Sequence, residues 1–285
     1  MKKISSDLIR AYRAQTFRLS PENRLKTQED AVAYVNERGF VHLWPITGVI
    51  LPSLWVAVAG DRPVADAHDD PGHVTWGWKD ALLGGRRWYY AKVLRKKATM
   101  ISFDVLPHFY ALSENYGSPE DDYLTLYEQG RLTLEAKIVY ETLYDQGPLD
   151  TVALKRATHM SSPANEGRFN RALADLQADF KVLPVGVTQA GAWHYAFAYD
   201  IVPRHYPEIP DLAHTILENQ ARKKLVELYF RSVGATQTQD VARLFGWRVA
   251  EVERVVEELA QAGVLQRGVV VENQVGDWIT LSEWM

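Results

Sequence analysis

The sequence contains no cysteine among its 285 residues, which excludes disulfide bonds, thiolate catalysis and cysteine-ligated zinc. It also lacks any apolar run that approaches the roughly 20 residues a membrane-spanning helix needs. The first 20 residues carry charges where a signal peptide would be apolar. From these absences we expect a soluble, cytoplasmic protein with no membrane partner.

An excess of positive charge is missing as well, because 32 Lys and Arg stand against 36 Asp and Glu and give a formal net charge of -4. This balance excludes a wholly basic nucleic-acid coat, so any contact with phosphates must come from a local patch. Hydrophobic residues make up 47% of the chain, enough to supply cores for two or three small domains.

The clearest pattern lies in the centre of the chain, over residues 132–199. Apolar residues recur there at helical spacing up to Gly147, Asp150 caps a second short helix, and Ser162 with Pro163 precedes a third. The apolar period then changes to two, in a pair of runs that flank Gln189–Gly191. Three short helices followed by a hairpin predict a winged helix.

A similar order of elements returns in the last part of the chain, where Thr236 starts a short helix and Gly263 ends the next one. An alternating, hairpin-like segment follows. We therefore predict an α+β fold of tandem winged-helix units, three in number. The predicted domains are a helical arm over 1–26 and units over 27–125, 126–205 and 206–285.

Nearer the N-terminus, residues 39–44 read Gly-Phe-Val-His-Leu-Trp, and Leu54–Trp55 follow. This order resembles the N-terminal region of the AlkZ and YcaQ DNA glycosylases, a winged-helix family. The resemblance implies a double-stranded DNA partner and removal of alkylated purines, including crosslinked ones, by hydrolysis of the N-glycosidic bond without a cofactor. The family's catalytic motif is Gln or His, an apolar residue, then Gln or Asp. The resemblance therefore assigns the catalytic positions to His42 and Trp44.

The two side chains at these positions differ in what they can do. A neutral His42 can orient or deprotonate the attacking water. The indole of Trp44 donates one hydrogen bond and accepts none, so it cannot replace the family's second side chain. Asp69, or its neighbours Asp66 and Asp70, is our candidate for the missing carboxylate. The other interpretation of His42 is a structural histidine near a domain interface.

The polar loop that holds these aspartates also contains His68 and His73. Its spacing matches no metal-site pattern, so we predict no metal centre, and Asp69–Gly72 is typical of a turn. Trp76 and Trp78 follow the loop. On a strand they would point to the same side and could stack against a base, although a place in the core is the other interpretation.

Positive charge is concentrated in residues 79–97, where seven Lys and Arg stand against a single acid, Asp80. We predict two strands joined by a turn at residues 95–97, a basic wing suited to phosphate contacts. A solvated hairpin whose charges discourage strand pairing is the alternative. Replacing Arg95 and Lys96 with Ala should weaken DNA binding. The predicted DNA-binding residues are Arg86, Arg87, Lys92, Arg95, Lys96, Lys97, Arg168 and Arg171.

We predict a monomeric, double-stranded DNA-binding protein related to DNA repair, with N-glycosidic hydrolysis as the activity that the resemblance implies. A non-catalytic winged-helix DNA-binding protein, either a transcriptional regulator or an inactive relative, is one alternative, and a protein-binding scaffold is another. Trp44 and the acidic helix over 249–260 favour the alternatives. The basic wing and His42 favour the glycosylase.

Overall fold

The computed structural model describes residues 2–285 and shows a mixed α+β fold. The chain divides into two compact units. Unit one comprises the chain up to Trp78, Met100–Val105 and Glu218–Met285, and unit two comprises Lys79–Thr99 and Leu106–Leu217. The division into three winged-helix units stays a prediction.

The N-terminal elements begin and end where local chemistry places them. They are β1 (Lys3–Ile4), α1 (Ser6–Thr16), α2 (Gln28–Arg38), β2 (Phe40–His42), α3 (Leu54–Ala59) and α4 (Val74–Ala81). The α2 helix starts at a capping box in which Thr27 accepts from the backbone N–H of Asp30 and the Asp30 carboxylate accepts from that of Thr27. It ends at Gly39, whose φ of 81° favours glycine.

The strand interpretation of Trp76 and Trp78 is wrong, because both residues lie in α4. Two residues of a helix that are two positions apart point in different directions, so these indoles do not share a face. Trp76 is 41% exposed, whereas Trp78 is half-buried.

The middle of the chain supplies most of unit two. Its elements are β3 (Tyr89–Lys92), β4 (Ala98–Ile101), α5 (Leu106–Tyr110), α6 (Asp122–Glu128), α7 (Leu134–Gln146), β5 (Leu149–Asp150), α8 (Thr151–Ala157), α9 (Glu166–Ala178), β6 (Val182–Thr188), β7 (Ala196–Ile201), α10 (Val202–His205) and α11 (Glu208–His214). The core of this unit forms where α7, α9 and β7 bury their apolar faces. Phe169, Leu173 and Leu176 lie on the buried side of α9, as their spacing predicts.

The hairpin predicted around Gln189–Gly191 is confirmed. β6 and β7 pair antiparallel, from Val182 opposite Ile201 to Thr188 opposite Ala196. β5 adds to the other edge of β7, which gives a three-stranded sheet in the order β5-β7-β6.

The last elements return the chain to unit one: α12 (Glu218–Val233), β8 (Ala235–Thr236), α13 (Thr238–Phe245), α14 (Val249–Gln261), β9 (Leu265–Val271) and β10 (Trp278–Leu281). The helical spacing of apolar residues predicts a buried stripe on α14 from Val249 to Leu259. Val252, Val255, Val256 and Leu259 form that stripe, whereas Val249, the first residue of the helix, is 42% exposed. A four-stranded sheet in the order β1-β9-β10-β8 follows, in which β1 pairs parallel to β9. Among residues 2–285, none of the helices combines the length and apolar character that crossing a bilayer requires.

Candidate functional site

Unit one contains a cavity of about 530 Å³ between the segment that follows β2 and the residues that lead into α4. Its walls are largely aromatic, with one carboxylate and two imidazoles among them. The lining residues are Trp44, Ala65, Asp66, His68, His73, Trp76 and Gly77.

Trp44 is the central ring of this cavity. Its segment is fixed by two backbone bonds at 3.0 Å, in which the N–H of His42 donates to the carbonyl of Pro52 and that of Trp55 donates to the carbonyl of Leu43. The ring centroid of Trp44 lies 5.6 Å from that of His73, 6.3 Å from that of Trp76 and 6.4 Å from that of Trp55. Trp44 and Trp76 are inclined at 41°, so they form two walls at an angle rather than a stack.

The loop over the cavity is shaped by Asp70. Its Oδ1 accepts from the backbone N–H of Gly72 at 2.8 Å and from the Arg62 guanidinium at 2.7 Å. The hydrogen bond from Arg62, followed by the one from Gly72, lowers the pKa of this carboxyl. Arg62 in turn lies 4.9 Å over the ring of Trp55. Asp70 is therefore committed to the loop, and the turn predicted at Asp69–Gly72 is present as the 3-10 turn Pro71–His73.

Two further contacts hold the loop against the rest of unit one. Nε2 of His73 lies 2.9 Å from the carbonyl oxygen of Ala65, so a hydrogen bond joins two lining residues at the two ends of the loop. At Gly72 a Cβ atom would lie 2.8 Å from Nε1 of Trp55 and 2.9 Å from Cβ of Ala59. Only glycine allows this close approach.

The structure separates the residues that the sequence proposed for catalysis. Trp44 lines the cavity, whereas His42 is buried in β2 with 1% exposure. Asp66 and Asp69 are both exposed, and of the two it is Asp66 that lines the cavity. Of the three aspartates considered, Asp66 is the one that lines the same cavity as Trp44. Within the described chain no group of three or more His, Asp or Glu side chains is arranged to hold a metal ion.

In unit two the predicted basic turn is present. β3 leads through the 3-10 turn Leu94–Lys96 into β4, and the backbone N–H of Leu94 donates to Oγ1 of Thr99 at 3.2 Å. Arg95 and Lys96 both have positive φ, at 56° and 55°. Residues other than glycine rarely adopt this conformation, so the surrounding contacts must hold the turn in place.

Those contacts come from α9. Lys96 forms an ion pair with Asp175, and the backbone N–H of Lys92 donates to Oε1 of Gln177 at 3.0 Å. Gln177 is itself buried and donates to the carbonyl of Leu173 at 3.0 Å. An ion pair and a hydrogen bond thus attach the basic turn to the helix that carries Arg168 and Arg171.

The eight predicted DNA-binding side chains fall into two groups. Three are engaged in ion pairs: Arg86 with Glu208, Lys96 with Asp175, and Arg168 with Glu135 at 3.6 Å. The other five are exposed, and in the chain from residue 2 onward no ion pair engages their side chains. These five are Arg87, Lys92, Arg95, Lys97 and Arg171.

Unit two also contains a buried cation that the sequence pattern did not reveal. The side chain of Lys79 has no solvent exposure, and its Nζ lies 2.6 Å from Oδ1 of Asp80 and donates to Oη of Tyr195 at 3.0 Å. Three rings surround it, with centroids at 4.4 Å for Phe197, 5.5 Å for Tyr90 and 5.7 Å for Tyr195. Burial lowers the pKa of Lys79, and the bond to Asp80 opposes that shift. We call these five residues the Lys79 cluster.

Comparison with known proteins gives two matches. The model of a protein family described as AlkZ related matches residues 25–246. Among solved structures, the DNA glycosylase AlkZ of Streptomyces sahachiroi is similar in fold, with a TM-score of 0.62 and 13% sequence identity over 99% of this chain and 71% of that one. A comparison with curated proteins gave no match.

Proposed function

The chain belongs to the AlkZ-related family, and from that premise we propose that it binds double-stranded DNA as a monomer and hydrolyses the N-glycosidic bond of an alkylated purine. The observation that carries the proposal is the cavity of unit one, which Trp44 and Trp76 line together with Asp66. No cofactor is needed for this hydrolysis.

The cavity suits a cationic base. Alkylation of a purine ring nitrogen gives the base a positive charge, and aromatic faces attract cations by about 0.5–2 kcal/mol. A base paired within a duplex cannot reach such a cavity, so the target nucleotide must be extruded from the stack. The volume of about 530 Å³ is ample for one base.

The chemistry then requires little from the protein. A cationic base is already a good leaving group, so the site must mainly position a water and stabilise positive charge on the sugar. We assign both tasks to the Asp66 carboxylate, since a carboxylate accepts hydrogen bonds and carries negative charge. His42 stays a second candidate for the water, because the family resemblance assigns it the first position of the catalytic motif.

Phosphate contacts are assigned to unit two. We infer that α7, α8, α9 and the β6–β7 hairpin form one winged helix, and that α12, α13, α14 and the β9–β10 hairpin form another in unit one. The five exposed side chains without ion pairs, above all Arg95 and Lys97 at the basic turn, are the ones we expect to meet phosphates.

Salt dependence tests this part of the proposal. Arg95→Ala with Lys97→Ala should weaken binding to unmodified duplex and lower the slope of log K against log salt by about 0.9 for each phosphate that the protein no longer neutralises. Fluorescence anisotropy at several salt concentrations measures both quantities. The matched control is Arg86→Ala with Arg168→Ala, whose side chains lie outside the basic turn, are held by Glu208 and Glu135 and should matter less. Equal effects in the two double variants would remove the basic turn from the proposal.

Trp44 supports a second candidate function. Because it offers no acceptor at the position where the family motif has Gln or Asp, the chain could instead be a non-catalytic relative that binds damaged duplex without cleaving it. Such a protein would bind alkylated DNA more tightly than unmodified DNA and release no base.

A further inference from the structure

The aromatic side chain of Trp193 lies outside the cavity and the basic turn. Trp193 is 91% exposed at the tip of the β6–β7 hairpin, where Gly191 has a φ of 82° and His194 a φ of 50°. Almost the whole indole surface therefore faces solvent at the end of a strand pair. A large apolar ring in this position contributes little to the core.

The stem below the tip is held firmly. Tyr195, two residues after Trp193, accepts a hydrogen bond from Lys79 and donates one to Oδ1 of Asp80 at 3.0 Å. Phe197, two residues further, packs on the Lys79 ammonium at 4.4 Å. The Lys79 cluster thus fixes the direction in which the hairpin presents Trp193.

The charge along the hairpin permits an approach to DNA. Residues 182–199 contain no Asp or Glu, and the one carboxylate of the hairpin, Asp200, is buried near the end of β7 and paired with Arg204 at 2.7 Å, so no carboxylate near the tip would repel phosphates. Val187, on β6 of the same hairpin, is also 38% exposed. The tip is therefore an aromatic and aliphatic projection without negative charge.

We propose that Trp193 is a base-stacking wedge, which enters duplex DNA where a base is missing from the stack and stacks on the neighbouring bases. Apolar side chains inserted at a base step take over the stacking of the absent base, and an indole offers the largest flat surface for this purpose. This inference rests on the proposed binding of duplex DNA, and it assigns a contact to bases rather than to phosphates.

The test compares two duplexes that differ only in one tetrahydrofuran abasic position. The wild type should bind the abasic duplex about tenfold more tightly than the intact one, since stacking of one base on an aromatic side chain contributes a free energy of that order. Trp193→Ala should abolish the preference while leaving affinity for the intact duplex nearly unchanged. Trp193→Phe, which keeps a smaller ring, should retain part of it. Tyr116→Ala removes another exposed ring of unit two, 72% exposed, and should retain the full preference.

A 2-aminopurine placed beside the abasic position gives a second readout, because a stacked indole quenches its fluorescence and the Ala variant should not. The wedge would be overturned if Trp193→Ala kept the preference for the abasic duplex. It would also be overturned if Tyr116→Ala lost that preference to the same extent as Trp193→Ala. A wild type that binds both duplexes equally would overturn the wedge alone. A wild type that binds neither would overturn both the wedge and the proposed function.

Discussion

Two clusters in this protein combine aromatic rings with a carboxylate, and they differ in what occupies the place between the rings. In unit two the place is occupied by the protein's own Lys79, whose Nζ lies 4.4 Å from the Phe197 centroid and 2.6 Å from a carboxylate oxygen of Asp80. In unit one the rings of Trp44 and Trp76 border an open cavity that Asp66 also lines. Both clusters combine ring faces with a carboxylate.

The difference indicates how the open cluster would work. A cation among rings and one carboxylate is stable enough in this fold to be fully buried, because the ring faces and the negative charge together replace its hydration. A cationic base in the cavity of unit one would find the same two kinds of contact. A neutral base would gain only the stacking.

The largest effect, on the stability of the fold, is expected from removing the cation of the Lys79 cluster. Lys79→Ala should lower the free energy of unfolding by about 2 kcal/mol or more, because it empties the space between the rings and leaves the carboxylate of Asp80, which is 21% exposed, with only the hydrogen bond from Tyr195. Urea denaturation followed by circular dichroism measures the change. The control is Lys79→Met with Asp80→Asn, which fills the space and removes both charges, and it should recover most of the stability. A decrease below about 1 kcal/mol in Lys79→Ala would show that the cluster contributes no more than an exposed pair.

A smaller effect, on ligand binding, is expected from removing one aromatic wall of the cavity in unit one. Trp44→Ala should weaken binding of N7-methylguanosine by about tenfold, equivalent to 1.4 kcal/mol, and should affect guanosine less. Isothermal titration calorimetry of both nucleosides gives the comparison. Trp193→Ala, which removes an indole of unit two, should leave both affinities unchanged. If Trp44→Ala weakened the two nucleosides equally, the cavity would not select for positive charge.

The sequence predicted those parts of the fold that depend on local spacing. The buried side of α9, the stripe of α14 and the β6–β7 hairpin follow from periods of 3.6 and two, and the end of α2 follows from Gly39. The resemblance carried by residues 39–44 also led to the right family. These features need no knowledge of distant neighbours.

What the sequence left open depends on contacts between distant residues. Lys79 looked like one more charge in a basic stretch, because Tyr195 lies 116 positions away and gives no local signal. The choice of Asp66 over Asp69 depends on a loop shape that Arg62 and Asp70 fix. The spacing of two between Trp76 and Trp78 suggested a strand, although both residues lie in the helix α4.

The most direct test of the proposed activity is release of base from duplex DNA that carries N7-methylguanine, with wild type and Asp66→Asn at equal concentration. We predict release by the wild type and a rate at least about 100-fold lower in Asp66→Asn, the usual decrease when a group that positions or deprotonates water is removed. Equal rates would contradict the role of Asp66. No release by a wild type that still binds the duplex would contradict the glycosylase and leave the non-catalytic relative.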